Sequence, residues 1–277
     1  MHESIIHTQD AMRLRVVQHV VDQEKALVCF VHGLGEHVGR YAHVIEALNA
    51  SGFSVALFDL RGHGMSDGKR GHAPDYSALM DDIALFIETV ASTSTHVFLY
   101  GHSLGGNLAV NFALRRRPDV RGVIATSPAF EPAFKPPKWK LFFGKLAYII
   151  APSLALSNEL SVCDISRDPE VVAAYLNDPL VHDRLSARLG MDILKTGQWA
   201  LANAHRVIAP MLIMHGTDDK ITSCAASEMF VSRAEGRADG KFWDALSHET
   251  HNEPEKSQVL TYVINWLDTQ LEQPPLI

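Results

Sequence analysis

Short, continuous apolar runs alternate along this chain with stretches whose apolar residues recur every three or four positions, and that alternation restricts the possible folds more than any other feature. Ala26 to Val31 (ALVCFV) reads as a strand buried on both faces, and Ser54–Phe58, His96–Tyr100, Gly122–Ala125 and Met211–Met214 read the same way, with an early strand over Met12–Val20. Helical patterns fall between them at Tyr41–Ala50, Tyr76–Ala91, Leu104–Arg115, Ala225–Arg233 and Glu255–Leu271. Strands separated by helices pair in parallel through crossovers, so the expectation is an α/β fold with a mostly parallel sheet covered by helices on both faces. A chain of 277 residues, 47% of them apolar, is long enough to bury such a sheet.

The alternation breaks between Pro128 and about Arg206. There the Pro-rich AFEPAFKPPK is followed by helical segments with no strand pattern among them. The chain therefore divides into a core of residues 1–127 and 206–277 and an inserted helical cap of residues 128–205. Within the cap, Trp139–Ile150 (WKLFFGKLAYII) is strongly apolar and flanked by Lys135, Lys138, Lys140 and Lys145. It reads either as a helix packed on the core with its lysines in water or as a lid that dips transiently into a membrane or micelle surface.

Charge narrows the range of partners. With 25 Lys+Arg against 32 Asp+Glu, the formal charge of −7 offers no long-range attraction to a nucleic acid. Three widely spaced cysteines, Cys29, Cys163 and Cys224, fit neither a disulfide framework nor a zinc site. No secretory pattern opens the sequence and no run reaches membrane-spanning length, so the expectation is a soluble, cytoplasmic protein. The tail from Gln273 to Ile277 reads as a disordered end.

The chemistry centres on Gly101-His102-Ser103-Leu104-Gly105, a G-x-S-x-G between an apolar run and a helical pattern. A nucleophile on a tight strand-to-helix turn needs small residues two positions before and after it, because side chains there collide with neighbouring backbone. The turn exposes the Ser103 hydroxyl and aims the free amides of a helix N-terminus at the reacting carbonyl. A serine also needs a histidine base oriented by a carboxylate, in the order Ser, acid, His. His215-Gly216-Thr217-Asp218-Asp219 follows a buried strand, and Ser247-His248-Glu249-Thr250-His251 precedes the last helix. Asp219 is favoured over Asp218 because three residues past Gly216 leave the turn room to aim the carboxylate back. Spacing alone leaves His248 and His251 open.

An oxyanion hole takes one amide from the residue after the nucleophile, Leu104, and another from a loop after an earlier strand. His32-Gly33-Leu34-Gly35 follows ALVCFV and offers the Leu34 amide. The loop Asp59–Gly68 reads as a structural turn pinned by Asp59 and Arg61, with His63 as a loop residue. The two histidines of H-E-T-H at 248–251 are one position too close for a zinc-protease motif, and no other His or Cys cluster has metal-ligand spacing.

Taken together, H-G-L-G-E-H-V-G-R-Y at 32–41, D-L-R-G-H-G-M-S-D-G at 59–68, G-H-S-L-G-G at 101–106, G-T-D-D-K and L-S-H-E-T-H-N-E give a sequence that resembles the monoacylglycerol lipase family of α/β-hydrolases over nearly its whole length. The resemblance extends into the cap through Ser166-Arg167-Asp168 and Tyr175–Leu180, and it implies a triad of Ser103, Asp219 and His248 with the Leu34 and Leu104 amides as oxyanion donors. It also implies Glu36, Arg40, His102, Tyr175 and His251 as polar residues around a glycerol-binding pocket, with a loop-fixing ion pair as the second role open to Glu36 and Arg40. The substrate implied is a monoacylglycerol or another small lipid ester, cleaved without metal or organic cofactor. A lysophospholipase, a broad carboxylesterase and a catalytically idle ligand receptor are the alternatives.

Overall fold

The computed structural model describes residues 1–92, 94 and 96–273. The tail read as disordered lies outside the described residues from Pro274 onward. The elements run in order β1 (His2–His7), β2 (Arg13–His19), β3 (Ala26–Val31), α1 (Ala42–Ala50), β4 (Phe53–Phe58), α2 (Tyr76–Val90), β5 (Val97–His102), α3 (Leu104–Arg116) and β6 (Gly122–Thr126). There follow α4 (Lys138–Ile150), β7 (Ala155–Ser157), α5 (Pro169–Asn177), β8 (Arg184–Ser186), α6 (Ala187–Ala202), β9 (Met211–Gly216), α7 (Cys224–Arg233), β10 (Ala238–Trp243) and α8 (Lys256–Glu272).

Eight strands form one sheet in the order β1-β2-β4-β3-β5-β6-β9-β10, parallel from β4 to β10 and antiparallel at the β1-β2-β4 edge. The two-residue period of a strand splits the core in two. In β3, Leu27, Cys29 and Val31 pack toward Phe86 of α2 and Leu108 and Phe112 of α3, whereas Val28 and Phe30 pack toward Leu48 of α1 and Val263 and Leu267 of α8. Each of these side chains is withdrawn from water, at roughly 1.5–3 kcal/mol apiece for the larger ones. Asp75, Ser186 and Ser223 cap α2, α6 and α7 by accepting bonds from amides three residues on.

The register aligns the carboxyl ends of the central strands: Val31 pairs Gly101, Gly101 pairs Ala125, Thr126 pairs Met214 and Gly216 pairs Trp243. The loops after β3, β5, β9 and β10 therefore emerge along one edge, where open α/β sheets place their ligand sites.

Four features differ from the sequence reading. β1 (HESIIH) and β10 (ADGKFW) lie at the sheet edges, half in water, and so lack the continuous apolar run that marks a central strand. Segment 128–205 is not purely helical, because β7 and β8 pair antiparallel within it; strands of three residues are too short to carry a period. Its last helix is as much core as cap, since α6 buries Leu189, Thr196, Ala200 and Leu201 and packs against α3 and α7. The reading of α4 as a core-packed helix is overturned: no residue of α4 is buried, and Phe142 and Ile149 are 65% and 76% exposed.

The two halves of this segment are attached very differently. α4 rests on α6 and is tied by its Lys140 to Glu159 across an exposed rim. Residues 175–186, by contrast, are fastened to the core loops at several points. The His182 amide donates to Gly35 O (3.0 Å), its Nε2 to Gly62 O (3.1 Å), and the Ser186 amide to Gly71 O (2.9 Å). Asp178 pairs with His37 Nε2 at 2.8 Å.

Candidate active site

Ser103 follows β5 with φ 54° and ψ −112°, a strained backbone for a residue with a side chain. The surrounding glycines make the turn possible. A Cβ on Gly101 would fall 2.1 Å from Gly105 O, and one on Gly105 would fall 2.0 Å from Val31 O, so the collisions expected at both positions are present. The turn leaves Ser103 only 9% exposed, facing a cavity of about 950 Å³. As the first residue of α3, Leu104 has an amide with no intrahelical acceptor.

The loop after β3 approaches from the other side. His32 holds it: the ring donates from Nδ1 to Gly33 O (2.8 Å) and accepts the Leu60 amide at Nε2 (3.0 Å), the neutral tautomer. Burial, more than any charge, pushes its pKa down to about 4, which keeps it in that form at neutral pH. Gly33 is packed so close that a Cβ there would lie 3.3 Å from the Ser103 Cβ. Leu34 lines the cavity with Ser103 and Leu104. An amide pair at the end of β3 and the start of α3, beside a hydroxyl, can bind a developing oxyanion.

Asp219 and His248 meet through a 2.7 Å bond between Oδ2 and Nδ1. Asp218 stays in solvent near Lys220. Asp219 accepts further bonds at Oδ1 from the Ile221 and Thr222 amides (2.7 and 3.0 Å). Burial opposes its ionisation, yet the His248 charge and bonds from His215 and His248 hold the carboxyl well below the usual range. For His248 burial likewise disfavours the charged ring, but Asp219 outweighs it and raises the pKa above the ordinary imidazole value. With Nδ1 given to Asp219, Nε2 is the nitrogen available for proton exchange in the cavity that His248 shares with Ser103. The His248 backbone is fixed by Ser127, whose hydroxyl donates to His248 O at 2.6 Å.

Five further residues were read as surrounding a polar pocket, and they separate into two groups. Glu36 and Tyr175 line the cavity. Arg40 does not: its guanidinium donates to Glu36 Oε2 (2.6 Å) and to both oxygens of Glu249 (2.7 and 2.8 Å), under the Tyr175 ring at 4.6 Å. Glu36 therefore serves in the ion pair and in the wall at once. Burial, partly offset by Arg40, pushes its carboxyl up to about 7.

His102 and His251 are corrections. Both are fully buried behind the wall, His102 with Nδ1 3.1 Å from Thr126 Oγ1 and His251 stacked on Tyr41 and edge-on to His102. The turn Thr250–Asn252 rotates His251 inward, and burial pushes its pKa down to about 3. Neither ring reaches the cavity. Among the described residues Glu36, His102 and Glu249 are spaced for a metal ion, but the Arg40 guanidinium already sits between the two carboxylates and supplies the positive charge.

A family model described as serine aminopeptidase, S33, matches residues 22–255. The chain belongs to that family. The resemblance read from its motifs is borne out by relatives. Monoacylglycerol lipase of Mycolicibacterium smegmatis is 33% identical, the match covering 89% of each chain, and phospholipase YtpA of Bacillus subtilis is 32% identical over 86% of this chain and 93% of that one. An uncharacterised abhydrolase domain-containing protein of Dictyostelium discoideum is 38% identical over 89% of this chain, which spans only 27% of that longer protein. The crystal structure of Paleococcus ferrophilus monoacylglycerol lipase superposes with a TM-score of 0.87 at 36% identity, covering 93% of this chain and 99% of that one. This S33-family chain is a carboxylic ester hydrolase of the α/β-hydrolase fold.

Sequence reasoning gave no role to three residues that hold the hydrolase's site together. Glu249 anchors Arg40, and the Thr222 hydroxyl and His215 Nε2 each lie 2.9 Å from Asp219 Oδ2. The four-residue spacing of His215 and Asp219 at the end of a strand is the signal that could have pointed to the last of these.

Proposed function

We propose that the hydrolase cleaves monoacylglycerols to fatty acid and glycerol. Ser103 attacks the ester carbonyl, His248 takes the hydroxyl proton, and Asp219 holds the imidazole with Nδ1 protonated. The Leu34 and Leu104 amides receive the oxyanion. His248 then gives its proton to the departing glycerol oxygen, and the same ring activates water to release the fatty acid from Ser103.

The observation that carries this substrate is the contrast between the two parts of the cavity wall. Most of it is apolar, with Leu156, Leu160, Ile165, Leu185, Met191 and Leu194 suited to an acyl chain, and its volume is at the upper end for a small-molecule site. Beside Ser103 and His248 the wall is polar, but the cation behind it is spent. Arg40 is committed to Glu36, Glu249 and the Tyr175 ring, so a neutral polyol finds acceptors and donors there while a phosphate meets two carboxylates and no free positive charge. Purified enzyme should therefore release fatty acid from monoacylglycerols at least about tenfold faster than from lysophosphatidylcholine, di- or triacylglycerols. Faster turnover of lysophosphatidylcholine would assign the enzyme to the phospholipases instead.

The cap supplies the contact with lipid. Lys138–Ile150 carries three lysines and no acid on a chain of net charge −7, and its Phe142 and Ile149 face away from the cavity into solvent. Such a helix lies in the headgroup region of an anionic bilayer. Among the described residues no helix is long and apolar enough to cross a membrane. Cosedimentation with phosphatidylglycerol vesicles should exceed that with phosphatidylcholine vesicles severalfold and fall in Phe142→Asp; equal absence from both pellets would remove the lipid contact. We place the enzyme in the cytoplasm, where its three free cysteines stay reduced.

A further inference from the structure

His215 is the penultimate residue of β9 and is completely buried beside Asp219. Its Nε2 faces Asp219 Oδ2 at 2.9 Å and Thr222 O at 3.2 Å, both acceptors, so this nitrogen carries the proton. Nδ1 then accepts from the Ser227 hydroxyl of α7 at 2.8 Å. Asp219 Oδ2 consequently receives two imidazole N–H groups, from His215 and from His248 at 2.7 Å. The Thr222 hydroxyl is within reach of the same oxygen, but its single proton has a second acceptor in Ser127 O at 3.1 Å.

We propose that His215 is a positioning residue for ester hydrolysis: by donating from Nε2 to Asp219 Oδ2 it shares the carboxylate oxygen that orients His248 and so limits how basic His248 becomes. The proposal rests on the Ser103–His248–Asp219 reading of the site. No proton passes through His215; its part is the hydrogen bond from Nε2 to Asp219 Oδ2. What changes during the reaction is the division of Oδ2 between two donors, as the His248 bond strengthens on charging and the His215 bond lengthens. Because Oδ1 is held independently by the Ile221 and Thr222 amides, loss of His215 leaves the carboxylate in place and alters chiefly its electron density.

The direction of the effect follows. With one donor fewer, Oδ2 accepts more strongly from His248, the imidazolium is favoured, and the pKa of His248 rises further. Activity requires the neutral ring, so the acid limb of kcat/KM moves to higher pH. The other charged or titratable groups around this pair, among the described residues, are Glu36, Glu249, Arg40, His102 and His251 on the His248 side and Cys224 on the Asp219 side. The Glu36 carboxyl is pushed up as well, to about 7, but it bonds to Arg40 and Tyr41 rather than to His215, and its contribution stays where it is.

The test is the pH profile of kcat/KM for a soluble ester in three variants. His215→Phe, which keeps a ring and loses the donor, should move the acid limb up by about half a pH unit, seen as roughly threefold lower activity at pH 6 than the change at pH 8 accounts for. His215→Gln, which places an N–H near the Nε2 position, should restore the wild-type limb. Ser227→Ala weakens the same donor through Nδ1 without altering the ring and should shift the limb in the same direction by less; it carries the test if the Phe variant does not fold. An unmoved limb in active His215→Phe or Ser227→Ala, or a Gln variant as shifted as Phe, overturns the role. Turnover persisting in Ser103→Ala would instead remove the triad on which it rests.

Discussion

Ser103→Ala should lower ester turnover by at least about 10⁴-fold, and fluorophosphonate labelling should disappear with it. The substitution removes one oxygen from a side chain that lines the cavity, and alanine inherits the same positive φ without a bulkier Cβ. The melting temperature should therefore shift by no more than about 2 °C. His248, Asp219 and the two leucine amides remain in position, so any residual rate reports what an oriented water and the proposed oxyanion donors achieve alone. A variant with wild-type turnover would overturn the nucleophile assignment, and one that unfolds would show that the hydroxyl holds the elbow.

The second large effect is on folding. Gly105→Ala adds a methyl group 2.0 Å from Val31 O, 2.6 Å from Val31 C and 2.7 Å from His32 O, all backbone atoms of the central strand and of the loop that follows it. None can swing aside as a flexible side chain would, so either α3 moves off the sheet or β3 bends. Either displacement separates the Leu34 and Leu104 amides. The expected cost is about 3 kcal/mol or more, read as a drop in melting temperature of roughly 6–12 °C, together with nearly complete loss of turnover. Gly144→Ala is the control. In α4 its nearest neighbour would be Met191 Sδ at 3.6 Å, ordinary contact, and alanine favours the helix by up to about 1 kcal/mol. A Gly105→Ala protein as stable as wild type would mean that the elbow tolerates what the backbone distances forbid.

How much of this was legible in the chain depends on what each residue answers to. Ser103, its flanking glycines and the buried strand before it obey local rules, and the sequence displays local rules openly. Asp219 could be preferred over Asp218 from turn length, whereas spacing left His248 and His251 open and only the family resemblance chose His248. His102 and His251 show the limit. A histidine pressed into a core and one lining a cavity look alike in sequence, because which side of a wall the ring occupies is fixed by Tyr41, Thr126 and the turn at 250–252 acting together. The edge strands β1 and β10 escaped for a related reason. Half in water, they mix Glu3, Asp239 and Lys241 into the pattern that marks a buried strand.

The unequal fastening of the cap has a consequence for how enzymes of this design diversify. Residues 175–186 are bonded to Gly35, Gly62 and Gly71 and carry Tyr175 over Arg40, so they belong mechanically to the chemistry. α4 contributes apolar wall and surface but no hydrogen bond to the loops around Ser103 among the described residues. A stretch of some thirteen residues can thus be exchanged for another of different length or greasiness, retuning which chains are admitted and which surfaces are visited, while the machinery beneath is inherited unchanged.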